Sequence, residues 1–319
     1  KSTDMFRVLA AYYAENSPLL AEAVQRGRKI LDATRAVYRN FIVNSFIPFL
    51  RRRKTKTFAD ITPPLIADFQ TALLAKGLKP RTVNWNLAGL SSAFAHLVMK
   101  GILPVNAFDA VKRLPVNDDA RRGCYEIDKL NGAFNAAWDD ERSYLLNMLV
   151  YATGMRNGEI ERIRLRDVVE HDGARFIDVK KSKTKYGIRL APLHEKVYTA
   201  LIKYAAGKSP DDFVFSKNGG KLCRAVYRQA YATLGQRLGV TADYLAAQDI
   251  SFYGGRHFWK TLMSAEGLGA NAEEYFMGHG GAGVAERYNH RDKIGLSRFA
   301  ARAREAFAIL DRTVFRSAD

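Results

Sequence analysis

The sequence predicts a mainly α-helical protein with a small β-sheet or hairpin. It divides into a helical domain over 1–116, a linker over 117–122 and a mixed α+β domain over 123–319. Apolar residues recur at helical spacing between capping signals throughout the first third of the chain. From about 104 to 122, "PVNAFDAVKRLPVNDDARR" is rich in Pro, Asn, Asp and Arg and loses that period, a linker signature. Beyond it, one pair of short β-prone arms interrupts a pattern of helix and loop. With 47% hydrophobic residues among 319, two cores can be filled.

The elements follow in order. In "KSTDMFRVLAAYYAEN" the apolar positions are helical, and Pro18 is expected to end the run. A longer helix is expected over about 28 to 47, broken near Pro48. "RRRKTKTF" then concentrates Arg51, Arg52, Arg53 and Lys54 on a connector, either a solvated loop or one that faces phosphate. "TPPLIADFQTALLAKG" starts at a capping Thr62, carries prolines in its first turn and stops at Gly77. The next helix runs from Pro80 to Gly101, with Lys79 and Arg81 at its start among the basic residues edging the bundle. Arg121 and Arg122 close the linker. "RFIDVKKSKTKYGIRLAPL" supplies β-prone arms at about 175 to 180 and 186 to 191 around a lysine-rich turn, a hairpin. A final amphipathic helix over 296–316 gathers Phe299, Ala303, Ala306, Phe307, Leu310 and Val314 on one face.

Charge narrows the partner. Lys and Arg number 50 against 33 Asp and Glu, a formal +17, which points to a polyanion: nucleic acid first, an anionic membrane surface second. No apolar run is long enough to span a membrane, and no signal core opens the chain. Cys124 and Cys223 stand far apart, with no Cys/His cluster to hold zinc, so a reducing cytoplasmic, nucleoid-associated setting is expected and no metal. The first residue is Lys1 rather than Met, so residues upstream of it are expected, with room among them for an N-terminal module.

Chemistry on a phosphodiester needs groups that neutralise charge growing on phosphate. Arginine does so with a planar fork that stays protonated. Arg156 in "TGMRNGEI" and Arg256 in "YGGRHFWKT" each follow a glycine-containing turn and open a predicted helix. In "FMGHGGAGVAERYNH", a glycine-rich break separates His279 from Tyr288. The bland reading makes them two half-buried polar aromatics; the functional one makes Tyr288 a nucleophile. A phenol with a pKa of about 10 is only about one-thousandth ionised at neutral pH, so it needs nearby arginines and an imidazole. The leaving oxygen needs a proton, which a lysine on the hairpin turn can supply. A solvated charge run that grips the backbone describes Lys180, Lys181 and Lys185 equally well, and Lys183 is open to the same reading.

Taken in order, "TGMRNGEIERIRLRDV", "KSKTKYGIRLAPL", "YGGRHFWKT" and "MGHGGAGVAERYNH" resemble the catalytic boxes of the tyrosine recombinases, the phage-integrase family. "KPRTVNWNLAGLSSAFAHLVMKGILPVNAF" is similar to that family's helical core-binding domain. The resemblance implies a C-shaped clamp on double-stranded DNA at a core-type recombination site. It also implies a homotetramer on DNA, with accessory DNA-bending proteins as further partners. Strand exchange would run through a 3'-phosphotyrosyl link and a four-way junction, with no cofactor. Arg156 and Arg256 match the phosphate-clamping arginines and Glu159 the acid that buttresses the first. Lys183, rather than Lys185, matches the hairpin general acid; His279 matches the residue that hydrogen-bonds the phosphate, and Tyr288 the nucleophile. His257 matches a frequent histidine with a structural role, and the 296–316 helix the tail that docks on a neighbouring protomer, although its apolar face reads equally well as packing on its own domain.

One position departs from the pattern. The second box normally reads H-x-x-R, and here Tyr253 stands in place of the histidine; a phenol is a poor base at neutral pH but still donates a hydrogen bond. Two other readings stay open: relaxation of one duplex in the manner of a type IB topoisomerase, and an accessory DNA-binding protein that has lost the chemistry.

Overall fold

The computed structural model describes residues 4–27, 30–116, 125–182, 184–216, 220–247, 251–279 and 293–317. Its contacts divide the chain into two compact units, Lys1–Ala120 and Arg121–Asp319, each with its own apolar cluster.

The first unit is helical, with no strand among its described residues. Helix α1 (Met5–Tyr12) is capped by the Asp4 carboxylate, and α2 (Pro18–Gln25) by the Ser17 hydroxyl. Pro18 therefore opens a helix, as its fixed φ and absent N–H suit the first turn, rather than merely ending one. Helix α3 (Asp32–Phe41) does not break at Pro48 as expected. It passes through a π-helical stretch, Ile42–Phe46, into α4 (Ile47–Arg52). The Ile47 N–H reaches back to the Ile42 carbonyl, and the wider turn accommodates a ring that has no N–H to give. Arg51 and Arg52 thus belong to the last turn of α4, where they complement the helix dipole, and not to a connector.

Helix α5 (Pro63–Ala75) has its Thr62 cap, and the chain turns at Gly77 with φ +81°. Helix α6 (Pro80–Met99) begins and ends as the sequence predicts. Part of the expected linker is docked: Ala107 and Phe108 are buried, Asn84 exchanges two hydrogen bonds with the Leu114 backbone, and Gln70 holds the Lys112 carbonyl.

The second unit is built around α8 (Glu141–Thr153), buried on nearly every side and packed by α10 (Glu195–Tyr204), α11 (Arg224–Arg237) and α13 (Gly254–Ala265). Helix α7 (Ile127–Asn135) precedes it, the short α12 (Ala242–Ala247) follows α11, and α14 (Ala270–Met277) follows α13. The helix expected to open at Arg156 is one turn, α9 (Asn157–Ile160).

Three antiparallel strands lie in order β1 (Val168–His171), β2 (Ala174–Val179), β3 (Arg189–Pro192), with Val168 opposite Ile177 and Val179 opposite Arg189. Strands β2 and β3 are the two predicted arms. Strand β3 starts late because Lys185–Gly187 wind into a 3-10 turn. Strand β1 was not anticipated. It joins β2 through Asp172 and Gly173, both at positive φ (46° and 72°), a two-residue hairpin turn of the primed kind.

The last described helix, α15 (Lys293–Arg312), lies on β1 and β2 and sinks Phe299, Ala303, Ala306 and Leu310 into its own unit; Val314 and Phe315 follow them there. The apolar face read as a tail for a neighbouring protomer is therefore already covered. No described helix is long and apolar enough to cross a membrane, and no described group of His, Cys, Asp and Glu could hold a metal ion.

Candidate active site

The end of α8 fixes the first arginine. Gly154 adopts φ +62°, turning the chain out of the helix in a conformation that suits glycine, and a Cβ there would come within 2.8 Å of the Met277 sulfur. Two residues on, Arg156 caps α9 and Glu159 follows on the next turn. The Glu159 carboxylate accepts the Arg156 backbone N–H at 3.0 Å and its Nη1 at 2.9 Å. The second arginine comes from α13, which approaches α8 so closely that a Cβ on Gly255 would meet the Tyr151 ring at 2.7 Å. Arg256 is consequently buried, 1% exposed, and donates to the carbonyls of Gly154 and Met277.

These arginines meet at the end of α14. Arg156 Nη2 donates to the Gly278 carbonyl at 2.9 Å, and Arg256 Nη2 to His279 Nε2 at 2.9 Å. Gly278 again takes a left-handed turn, φ +60°. His279 then has its other ring nitrogen 3.4 Å from Glu274, which Lys260 holds at 2.6 Å. Burial and the Arg256 charge both lower the His279 pKa, so the ring is neutral at pH 7. Since Arg256 can only donate, Nε2 accepts and the proton sits on Nδ1, towards Glu274. Burial, then the neighbouring charges of Arg156 and Arg189, bring Arg256 down to about 10, still protonated at neutral pH.

The floor of this cluster holds a residue the sequence reading did not single out. Arg189 lies in β3 at 1% exposure, donating Nη2 to Glu159 Oε2 at 3.1 Å, Nη1 to the Gly187 carbonyl at 2.9 Å and Nε to the Phe276 carbonyl. Ser182 adds its hydroxyl to Glu159 Oε1 at 2.6 Å. Burial alone would raise the Glu159 pKa; the Arg189 charge and hydrogen bond, with Ser182 and the Arg156 N–H, overturn that and hold it at about 2. A signal for Arg189 was present: an arginine inside the apolar run of a short strand has no solvent to reach.

The structure thus brings Arg156, Glu159, Arg256 and His279 together. Tyr253 precedes Arg256 at the start of α13, half-buried and near enough for its phenol to act on the Arg256 charge. His257 is exposed on the next turn, edge-on to the Tyr253 ring at 5.4 Å and away from the cluster. Lys181 is exposed, while Lys180 pairs with Asp167 at 2.6 Å. Lys183, Tyr288, Arg121 and Arg122 lie outside the described residues, as does the side chain of Lys185.

In the first unit, Arg51 stacks over Phe6 and Arg53 over Phe49, and Arg53 pairs with Asp68 at 3.1 Å. Arg52, Lys54, Lys79 and Arg81 are exposed.

A model of the phage integrase family matches residues 125–294. The tyrosine recombinase XerC of Oceanobacillus iheyensis is 25% identical over 268 residues, 80% of this chain and 85% of that one. Among solved structures, the Tn1549 transposon integrase in complex with transposon right end DNA aligns with TM-score 0.60 at 17% identity, over 95% of this chain and 99% of that one. A lambda integrase tetramer bound to a Holliday junction aligns with TM-score 0.60 at 18% identity, over 88% and 78%.

Proposed function

Because the chain belongs to the phage integrase family, we propose that it is a tyrosine site-specific recombinase. It cleaves and rejoins duplex DNA through a 3'-phosphotyrosyl link to Tyr288 and a four-way junction. The observation that carries this reading is the convergence of Arg156 and Arg256 on the Met277–His279 segment, Arg156 through the Gly278 carbonyl and Arg256 through the Met277 carbonyl and the His279 ring, with Tyr288 nine residues beyond His279. A phosphate seated there meets two protonated guanidiniums, each with more N–H donors than its contacts to the protein use. They stabilise charge that grows as the Tyr288 oxygen bonds to phosphorus and the 5'-oxygen leaves. Lys183 protonates that oxygen, and His279, held beside Arg256, bonds the phosphate once it exchanges its present acceptor bond to that arginine for a donor one.

Joining reverses these steps with a 5'-hydroxyl from a partner duplex, so the ester conserves the energy of the broken bond and no nucleotide is consumed. Arg51 to Lys54, Lys79 and Arg81 in the first unit, with Lys181, Lys185, Arg121 and Arg122, grip the DNA backbone. Protomers assemble as a tetramer on DNA, as in the similar lambda integrase complex, through surfaces other than the covered face of α15.

A duplex nicked near the scissile position tests the proposal, because the short released strand diffuses away and traps the covalent adduct. The adduct is expected with the unaltered chain and not with Tyr288→Phe. Tight binding without adduct would favour the accessory role that Tyr253 brings to mind, and supercoil relaxation without recombinant product would favour a topoisomerase.

A further inference from the structure

We infer that Arg189 is a positioning residue for this reaction: from beneath the site it fixes the Glu159 carboxylate, the carbonyl end of α14 and the hairpin turn in one arrangement, and so sets where Arg156 and the Gly278–His279 segment stand. The inference rests on the recombinase reading above.

A buried guanidinium is strongly disfavoured unless charge and hydrogen bonds compensate it, and a short strand would ordinarily place an aliphatic residue there. The Arg189 side chain is fully enclosed, 0% exposed, and its contacts end on three separate elements: Glu159 on α9, Phe276 on α14 and Gly187 in the hairpin turn. Its three partners are themselves buried, unlike the part-exposed His279 beside Arg256, so Arg189 acts through them rather than on a DNA phosphate. Glu159 passes its hold to Arg156, whose Nη1 and backbone N–H take opposite oxygens of the carboxylate.

The backbone is shaped around the same group. A Cβ on Gly278 would lie 3.1 Å from the Arg189 guanidinium and 2.9 Å from the Gly187 Cα, and a Cβ on Gly187 would fall 2.0 Å from the Ser182 hydroxyl. Both segments close onto Arg189 only because they carry no side chain there.

Glu159 is faced by Arg156 from α9, Ser182 from the hairpin and Arg189 from β3. Arg189 is flanked in turn by Tyr275 of α14, and Arg256 with His279 lies beyond. Without the Arg189 charge, burial dominates at Glu159, and the carboxyl takes up a proton at higher pH and loosens Arg156.

The experiment follows single-turnover adduct formation on the nicked duplex with full-length Arg189→Met and Arg189→Lys, from about pH 5 to 8, with DNA affinity and melting measured alongside. Arg189→Met is expected to slow the adduct about 100-fold, with duplex affinity held. The ratio of its rate to that of the unaltered chain should also fall as the pH drops. Arg189→Lys restores the charge but not the planar fork, so it keeps the original pH profile and recovers only part of the rate. Equal adduct rates at every pH with and without Arg189 would overturn the inference, as would a slowed Met variant with the original pH profile, which marks a merely structural role. Should the Met variant not fold, an undiminished rate in Arg189→Lys overturns it alone. No adduct from the unaltered chain is a different result and removes the recombinase reading itself.

Discussion

Arg256 and Arg52 carry the same group in opposite circumstances. Arg256 is 1% exposed, with two backbone carbonyls and an imidazole arranged around it; Arg52 stands in solvent on the last turn of α4. A buried cation has its geometry fixed before any ligand arrives and acts at short range in a low dielectric. An exposed one is screened by salt and replaceable by its neighbours. Arg256 is therefore built for positioning, and Arg52 is free to act at longer range.

The sharpest way to break that contrast is to truncate each kind. Arg256→Ala is expected to lower single-turnover adduct formation at least 1,000-fold, about 4 kcal/mol of transition-state stabilisation. It should lower the melting temperature as well, because the carbonyls of Gly154 and Met277 lose their donor. A loss under tenfold would show that the buried site is as replaceable as the exposed one.

Next in size is an effect of pH on stability. Glu159 titrates near 2 in the folded chain against an ordinary 4.5. The stability it contributes is thus complete above about pH 4.5 and lost as the pH falls towards 2. Glu159→Gln should cost on the order of 3 kcal/mol in urea unfolding at neutral pH. The gap between variant and parent should narrow through that acid window, and a constant gap would show that the carboxylate's charge is not what holds the floor.

Smaller again, Gly278→Ala places a Cβ at φ +60° against the Gly187 Cα, and is expected to slow adduct formation about tenfold and to lower melting by a few degrees. Arg52→Ala should do least. Its affinity for duplex should fall a few-fold, the salt dependence should lose about one unit of slope, and the rate at saturating DNA should not change.

How far the sequence could be read followed the same division. Capping residues and glycine stops are local signals, and they placed α5 and α6 to within a residue or so. Arg156, Glu159, Arg256 and His279 were legible through ordered boxes, and the fold brings them together. Arg189 carries only the mark of a basic residue in an apolar strand, and its role depends on which way that strand faces: β3 turns it inward against Glu159. Strand β1 lies outside the two predicted arms, although Asp172-Gly173 between β-prone segments is itself a hairpin signal. The apolar stripe of α15 was read correctly as a stripe. A sequence carries no mark that says whether such a face is met by its own domain or by another copy, and here it is met at home.

The π-helical stretch Ile42–Phe46 has a consequence for anyone altering the first unit. It inserts one residue into an otherwise continuous rod, so everything from Ile47 onward is rotated by about 100° relative to α3. Deleting a single residue there would straighten the rod and swing Arg51 off the Phe6 ring, while Phe49 and Leu50 turned out of the core. The azimuth of the α4 arginines is thus a matter of counting, and an indel that looks harmless in an alignment would redirect that entire edge.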